Sequence, residues 1–176
     1  MADIAKEISS SEYAIDGNLS RFTWMPGMYK RIVVGVDDSA TANRALWEAI
    51  RLAQEQRAQL RLVHVITWPI IPPHGGCPVA EEALSTYTAF QRAGQALLEQ
   101  AASQAQEAGL APETCVVESG GHSTSQALVE AAKRWSADLL VLGTHGRRGL
   151  HHLVLGSVAE GVIRLAPVPV LLVRLP

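Results

Sequence analysis

Small residues at fixed spacing in the last third of the chain are the residues best suited to chemistry: Gly143, Gly146, Gly156 and Ser157. An apolar run ends at Leu142 just before them and an amphipathic run begins at Val158, so the pattern predicts a strand, a glycine-rich loop and a helix. Glycines let backbone N–H groups approach a ligand closely, and a helix N-terminus adds free N–H groups and a positive dipole end. The segment therefore predicts a site for a phosphate or another anion.

Two arginines inside the same segment add positive charge. The guanidinium groups of Arg147 and Arg148 suit a phosphate, and the alternative is a solvated surface pair. Ser157 also stands three residues before Glu160, which is the spacing of a capping box. Its hydroxyl is therefore predicted to bind a ligand or to cap the helix. The adjacent His151 and His152 would point apart on a regular element, which argues against a metal site.

The elements that position this segment alternate along the chain. Apolar or β-branched runs predict five strands, and amphipathic stripes between them predict four helices, with the second helix running from Val79 to Ala108. The predicted strands are 31–36, 59–66, 114–118, 138–142 and 167–173. This alternation is typical of a single α/β domain with a mainly parallel sheet and helices on both faces.

Polar residues follow the first predicted strand, at the same edge of the sheet as the glycine segment. Asp37, Asp38 and Ser39 come directly after it, and Ser39 or Asp38 is suited to cap the next helix. Ligands of open parallel sheets bind at the carboxyl ends of the strands, where the strand order reverses. Asp37 is therefore a candidate ligand residue, and capping is its alternative role. His64, in the second strand, is predicted to be a satisfied core histidine.

The last strand is predicted to lie at a sheet edge, because Pro169 lacks the N–H that an interior strand needs. Its apolar run, Val170–Val173, would invite aggregation if it stayed open. Pairing with a second copy of the chain in a two-fold dimer removes that hazard.

The composition of the chain argues against several classes of protein. The chain has 176 residues, a net charge of −2 and two cysteines, Cys77 and Cys115, with no metal-binding spacing. We expect no general affinity for nucleic acid or membranes, and a cytoplasmic location, since no secretory signal or spanning segment is evident. Residues 1–29 are predicted to be an extension, partly ordered or flexible, and residues 30–176 the domain.

Several familiar sites are missing from the sequence. It contains no P-loop lysine motif, no G-x-G-x-x-G after the first strand and no G-x-S-x-G elbow. No general base or metal-ligand cluster is visible, so an enzyme is not expected.

The segment Gly-Thr-His-Gly-Arg-Arg-Gly-Leu, the spacing G-x2-G-x9-G-[ST] and the closing Pro-Val-Pro-Val-Leu-Leu-Val resemble the nucleotide-binding branch of the universal stress proteins, over about residues 30 to 175. The resemblance implies an adenine nucleotide alpha hydrolase-like sheet with strand order 3-2-1-4-5. It also implies a homodimer through the last strand and bound ATP, ADP or AMP, with or without Mg²⁺.

Carried onto this chain, the resemblance assigns the nucleotide to residues from three places. Asp37 and Ser39 would lie near the base or ribose, and the backbone of Val63 and Val65 would contact adenine. The ribose and phosphates would be surrounded by Gly143, His145, Gly146, Arg147, Arg148, Gly156, Ser157 and Val158.

Two residues depart from the family pattern. Asp38 replaces a frequent glycine and adds negative charge, which would weaken polyphosphate binding or favour Mg²⁺. Gly161 lies within the fourth predicted helix, where it costs about 1 kcal/mol relative to alanine, with no evident gain. The expected function is that of a nucleotide-binding stress-response regulator. A slow ATP hydrolase and an interaction scaffold with a vestigial nucleotide site are the alternatives.

Overall fold

The computed structural model describes residues 29–67, 79–145 and 155–175. Within these ranges five strands alternate with four helices. In chain order the elements are β1 (Arg31–Gly35), α1 (Ala40–Gln56), β2 (Gln59–Ile66), α2 (Val79–Glu107), β3 (Glu113–Glu118), α3 (Thr124–Arg134), β4 (Leu139–Gly143), α4 (Ser157–Leu165) and β5 (Val170–Val173). All strand pairs are parallel, in the order β3-β2-β1-β4-β5. The predicted fold class and the order implied by the family resemblance are confirmed.

The two faces of the sheet carry separate hydrophobic clusters. On one face, α1 and α2 bury residues such as Leu46 and Leu98 against Ile32 and Leu62. On the other face, α3 and α4 bury Leu128 and Val162 against the alternate residues of the strands. Because strand side chains alternate between faces, each central strand contributes to both clusters. The carboxyl edge of the sheet is thus bordered by helices on both sides.

Local sequence signals fix where the helices begin and end. Ser39 caps α1 by accepting a hydrogen bond from the Ala42 N–H, at 3.1 Å. The predicted capping box at α3 is present, with Ser123 and Gln126 bonding each other's backbone N–H groups. Gly109 follows α2 with φ +81°, a left-handed conformation that glycine adopts at little cost.

Strand β5 lies at the edge of the sheet, as Pro169 predicts. It begins at Val170 rather than at Pro167. The Leu140 N–H donates to the Pro169 carbonyl at 3.0 Å, so the sheet uses that carbonyl and needs no N–H from the proline. In the part of the chain that the structure describes, no helix is both long and apolar enough to cross a bilayer.

Gly161 has a packing role that the sequence did not show. A Cβ at this position would lie 2.4 Å from Ser125 Oγ and 2.7 Å from Ser125 Cβ, so the glycine lets α4 approach α3 closely. Ser125 is 6% exposed and has little room to withdraw. The expectation that this glycine brings no gain is therefore wrong.

Gly161→Ala is expected to lower the free energy of unfolding by about 1–2 kcal/mol, because the cost of overpacking exceeds the gain in helix propensity. Urea unfolding of the parent, Gly161→Ala, Ser125→Gly and the double variant measures the coupling between the two positions. When Ser125 is already glycine, adding Gly161→Ala should lower the free energy of unfolding little or not at all. A single Gly161→Ala variant as stable as the parent would contradict the contact.

Candidate functional site

The carboxyl ends of β1 and β4 lie side by side where the strand order reverses. Just beyond β1, one carboxylate oxygen of Asp37 accepts a hydrogen bond from the Ser39 N–H at 2.9 Å. Ser39 is the N-cap of α1, so the proposed capping role belongs to Ser39 and Asp37 orders the preceding turn. The second carboxylate oxygen of Asp37 has no hydrogen bond to any residue that the structure describes, which leaves an acceptor at this edge.

The chain beyond β4 is held against the first turn of α1. The Thr41 hydroxyl donates to the His145 carbonyl, and the Ser39 hydroxyl lies 3.4 Å from the same oxygen. Thr41 is 8% exposed, and no sequence signal marks it, because a threonine in the first turn of a helix is common. Its role is to position the residues that follow β4.

Gly143, the last residue of β4, makes this close approach possible. A Cβ there would lie 2.8 Å from the backbone N of Ala42, from the backbone carbon of Thr41 and from the Thr41 hydroxyl. The family resemblance implies a ligand contact for Gly143, and the structure shows a packing reason for a glycine at this position. It brings β4 and the N-terminus of α1 together beneath the site.

Backbone hydrogen bonds bring the two ends of the glycine segment together. The Thr144 N–H donates to the Val173 carbonyl at 2.8 Å, and the Gly156 N–H donates to the Thr144 carbonyl at 2.8 Å. Gly156 is therefore fixed beside the end of β4, close to Gly143 and His145. Gly146, Arg147 and Arg148 lie outside the described residues.

Helix α4 begins next to this point, and its N-cap is a glycine. Gly156 is the N-cap, with φ −64° and ψ 146°, and it has no side chain with which to bond to the first turn. Ser157 is the first helical residue and is exposed, and Glu160 pairs with Arg164 at 2.6 Å. The capping box of Ser157 with Glu160 is therefore wrong. The hydroxyl of Ser157 and the N–H groups of Ser157 and Val158 can serve an anion.

The second strand offers backbone groups at the same edge. Strand β1 pairs with β2 only as far as Gly35 opposite Val63, and the Val63 carbonyl accepts a hydrogen bond from the Val36 N–H at 2.8 Å. Peptide groups alternate in direction along a strand, so those of Val65 face the same side, beyond the end of β1. Val63 is 1% exposed and lies beneath the edge, so Val65 is the better placed of the two for a ligand.

His64 is a satisfied core histidine, as predicted. It is 9% exposed, and its Nδ1 lies 2.8 Å from the Val36 carbonyl oxygen. A Cβ at Gly94 would lie 2.8 Å from the His64 ring, so this glycine gives α2 room to pack over it. The imidazole therefore supports the end of β1 from the face that α2 covers.

His145 is the one described histidine at the site with an unused ring nitrogen. Its Nδ1 lies 3.0 Å from the Thr144 hydroxyl, and its Nε2 is buried without a hydrogen-bond partner among the described residues. A buried polar nitrogen left without a partner costs free energy, so a ligand group that reaches it would be stabilised. No cluster of three or more metal-ligating side chains occurs in the described ranges.

Comparisons with known proteins agree on one family. Residues 28–174 match the model of the universal stress protein family. The chain is 34% identical over 149 residues to a universal stress protein of Methanocaldococcus jannaschii, covering 85% of this chain and 84% of that one.

Two solved structures of universal stress proteins share the fold and carry nucleotides. One, in complex with cAMP, is 30% identical with a TM-score of 0.61, over 84% of this chain and 98% of that chain. The other, from Archaeoglobus fulgidus in complex with dAMP, is 26% identical with a TM-score of 0.56, over 84% and 99%.

Proposed function

The chain belongs to the universal stress protein family, and from this premise we propose that it binds an adenine nucleotide, ATP foremost, as a homodimeric regulator of a stress response. The observation that carries the proposal is the N-terminus of α4, which begins at a glycine N-cap and is held beside the end of β4 with Ser157 exposed. Backbone N–H groups that point at a ligand, together with the helix dipole, favour phosphate at such a position.

The base and ribose would lie toward β1 and β2. The free carboxylate oxygen of Asp37 accepts hydrogen bonds from a hydroxyl or an amino group, which ribose and adenine both have. The peptide groups of Val65 can pair with the edge of the base. The universal stress proteins bound to cAMP and dAMP support an adenine ligand.

Nucleotide binding is tested by thermal and chemical unfolding of the purified chain with ATP, ADP or AMP. At a concentration near 100 times its Kd, a ligand of the folded state adds about 2.7 kcal/mol to the free energy of unfolding. We expect ATP to give at least the stabilisation of AMP at equal concentration, since more phosphate oxygens can reach α4. GTP is the matched control for recognition of the base. If no adenine nucleotide stabilises the protein, the proposal is wrong.

We propose that the bound nucleotide acts as a signal and is not turned over. Hydrolysis needs a residue that orients the attacking water. In the described part of the chain, the candidates beside the N-terminus of α4 are His145 and Glu160, and the Glu160 carboxylate pairs with Arg164. Phosphate release that persists through purification and disappears with His145→Ala would favour the alternative, a slow ATP hydrolase.

The homodimer is proposed to form through β5. The carbonyls of Pro169 and Val173 accept hydrogen bonds from β4 and from Thr144 just after it, so the peptide groups of Val170 and Leu172, which alternate with them, point outward. Among the described residues, no strand pairs with this edge. Large apolar side chains are exposed close to it: Ile163, Leu165 and Leu175 are 50%, 44% and 46% exposed. Pairing with a second copy would cover both the edge and these side chains.

Ile163→Glu is expected to dissociate the dimer, because it places a charge in the covered apolar surface. Light scattering at micromolar concentration measures the mass directly. Leu84→Glu is the matched control: Leu84 is 65% exposed on α2, across the sheet from α4, so this variant should remain a dimer. A monomeric parent protein, or equal dissociation by both variants, would exclude this interface.

A further inference from the structure

The imidazole of His64 bonds to the main chain where β1 ends. Its Nδ1 lies 2.8 Å from the carbonyl oxygen of Val36, the residue before Asp37. A carbonyl oxygen can only accept a hydrogen bond, so Nδ1 carries the proton and donates it. The ring has little freedom, because a Cβ at Gly94 would lie 2.8 Å from it and α2 packs closely over it. The bond is therefore a fixed part of the carboxyl edge of the sheet.

The Val36 carbonyl is the group with which β1 would continue its pairing to β2. The Val36 N–H donates to the Val63 carbonyl at 2.8 Å, as it would in a parallel ladder opposite His64. In such a ladder the carbonyl of the same residue accepts from the residue after its partner, which here is Val65. Among the described residues, the backbone bonds include none from the Val65 N–H to this carbonyl. The side chain of His64 thus takes the place of the next ladder bond.

This replacement leaves the N–H of Val65 at the open end of the ladder. Alternate residues of β2 present their peptide groups to β3, since the Ile66 carbonyl accepts a hydrogen bond from the Ser119 N–H at 3.0 Å. The peptide groups of Val65 therefore face the other way, toward the end of β1. Without the bond from His64, the Val36 carbonyl would pair with the Val65 N–H, because a main-chain carbonyl without a donor costs free energy.

We propose that His64 is a positioning residue for the adenine nucleotide, and that it acts by keeping the Val65 N–H available to the base. Adenine has ring nitrogens that accept hydrogen bonds, and a fixed main-chain N–H is a suitable donor for them. The imidazole acts through the main chain, since its ring lies against Gly94 on the face that α2 covers. This inference rests on the proposed nucleotide binding and adds to it a residue that the nucleotide need not contact.

Amide hydrogen exchange of the full-length chain, without nucleotide, tests the main-chain arrangement. The Val65 N–H should exchange at least about 100-fold faster than the Val36 N–H, which is bonded to Val63. In His64→Leu the Val65 N–H should enter the ladder and exchange at least about tenfold more slowly than in the parent, whereas a loss of packing alone would speed exchange. A protected Val65 N–H in the parent, or exchange that is unchanged or faster in His64→Leu, would overturn the proposal.

Calorimetric titration with ATP tests the consequence for the nucleotide. His64→Leu should weaken ATP binding about tenfold, through the loss of one hydrogen bond to the base. His64→Asn should retain most of the affinity, because the amide nitrogen of asparagine stands as many bonds from the main chain as Nδ1 and can donate to the same carbonyl. Failure of His64→Asn to bind ATP more tightly than His64→Leu would contradict the proposal.

Leu62→Val is the matched control for lost packing. Leu62 is fully buried on the same face of β2, so its truncation costs stability without touching the Val36 carbonyl. This variant should bind ATP as tightly as the parent, and circular dichroism confirms that each variant is folded. Equal weakening by Leu62→Val and His64→Leu would show that His64 contributes only to packing, which contradicts a positioning role.

The two measurements separate this inference from the proposed function. If the parent protein does not bind ATP, the proposed function is wrong, whereas slower exchange of the Val65 N–H in His64→Leu still supports the role of His64 at the end of the ladder. If His64→Leu binds ATP as tightly as the parent, nucleotide binding stands and the positioning role of His64 is wrong.

Discussion

Gly143→Ala is expected to lower the free energy of unfolding by about 3 kcal/mol. The added Cβ would meet three atoms at 2.8 Å, two of which are backbone atoms of the first turn of α1. Backbone atoms cannot rotate away, so β4 and α1 must separate. That separation would also disturb the bond from the Thr41 hydroxyl to the His145 carbonyl, which places the residues after β4.

Gly35→Ala is the matched control for this variant. Gly35 ends β1 as Gly143 ends β4, and its Cβ would also be crowded, at 2.6 Å from Leu142 Cδ2. Its near neighbours are the tips of leucine side chains, which can change rotamer, so a loss of about 1 kcal/mol is expected. Urea unfolding of both variants measures the difference. Equal losses would show that contact with the backbone is not what makes Gly143 necessary.

Much of this fold could be predicted because the periodic hydrophobic runs are long and because glycine, proline and helix-capping residues mark where they end. Strand β2 and the end of α2 at Gly109 were placed to within a residue. Strand β5 was predicted three residues too long, because Pro167–Pro169 continues the apolar composition but does not enter the ladder before Val170. The hydrophobic pattern of a segment indicates which residues are buried, whereas the length of a strand also depends on where the neighbouring strand can pair with it.

The location of the candidate site could be predicted from the sequence, but the roles of several of its residues could not. Apolar strands ending in Asp37 and Gly143 indicated the carboxyl edge, and the structure brings these residues together there. The capping pattern of Ser157 misled because an S-x-x-E spacing also occurs one residue inside a helix, where Glu160 pairs with Arg164 instead. Contacts between distant segments, such as Thr41 with His145, leave no local pattern to read.

Gly156→Val is expected to weaken adenine-nucleotide binding at least about 100-fold, a loss of about 2.7 kcal/mol. The two added methyl groups would stand at the N-terminus of α4, where the phosphate has to approach the N–H groups of Ser157 and Val158. The fold should survive, because φ −64° and ψ 146° suit any residue and the bond from the N–H of residue 156 to the Thr144 carbonyl does not involve the side chain.

Gly156→Ser separates blocked access from an unstable helix. A serine at the N-cap accepts a hydrogen bond from the first turn, so it should stabilise the protein by a few tenths of a kcal/mol, whereas valine should destabilise it slightly. Serine also competes with phosphate for the same N–H groups, so both variants should bind ATP less tightly although their stabilities move in opposite directions. Calorimetric titration with ATP and urea unfolding supply the two measurements. Affinity that follows stability, or parental affinity in Gly156→Val, would place the nucleotide away from the N-terminus of α4.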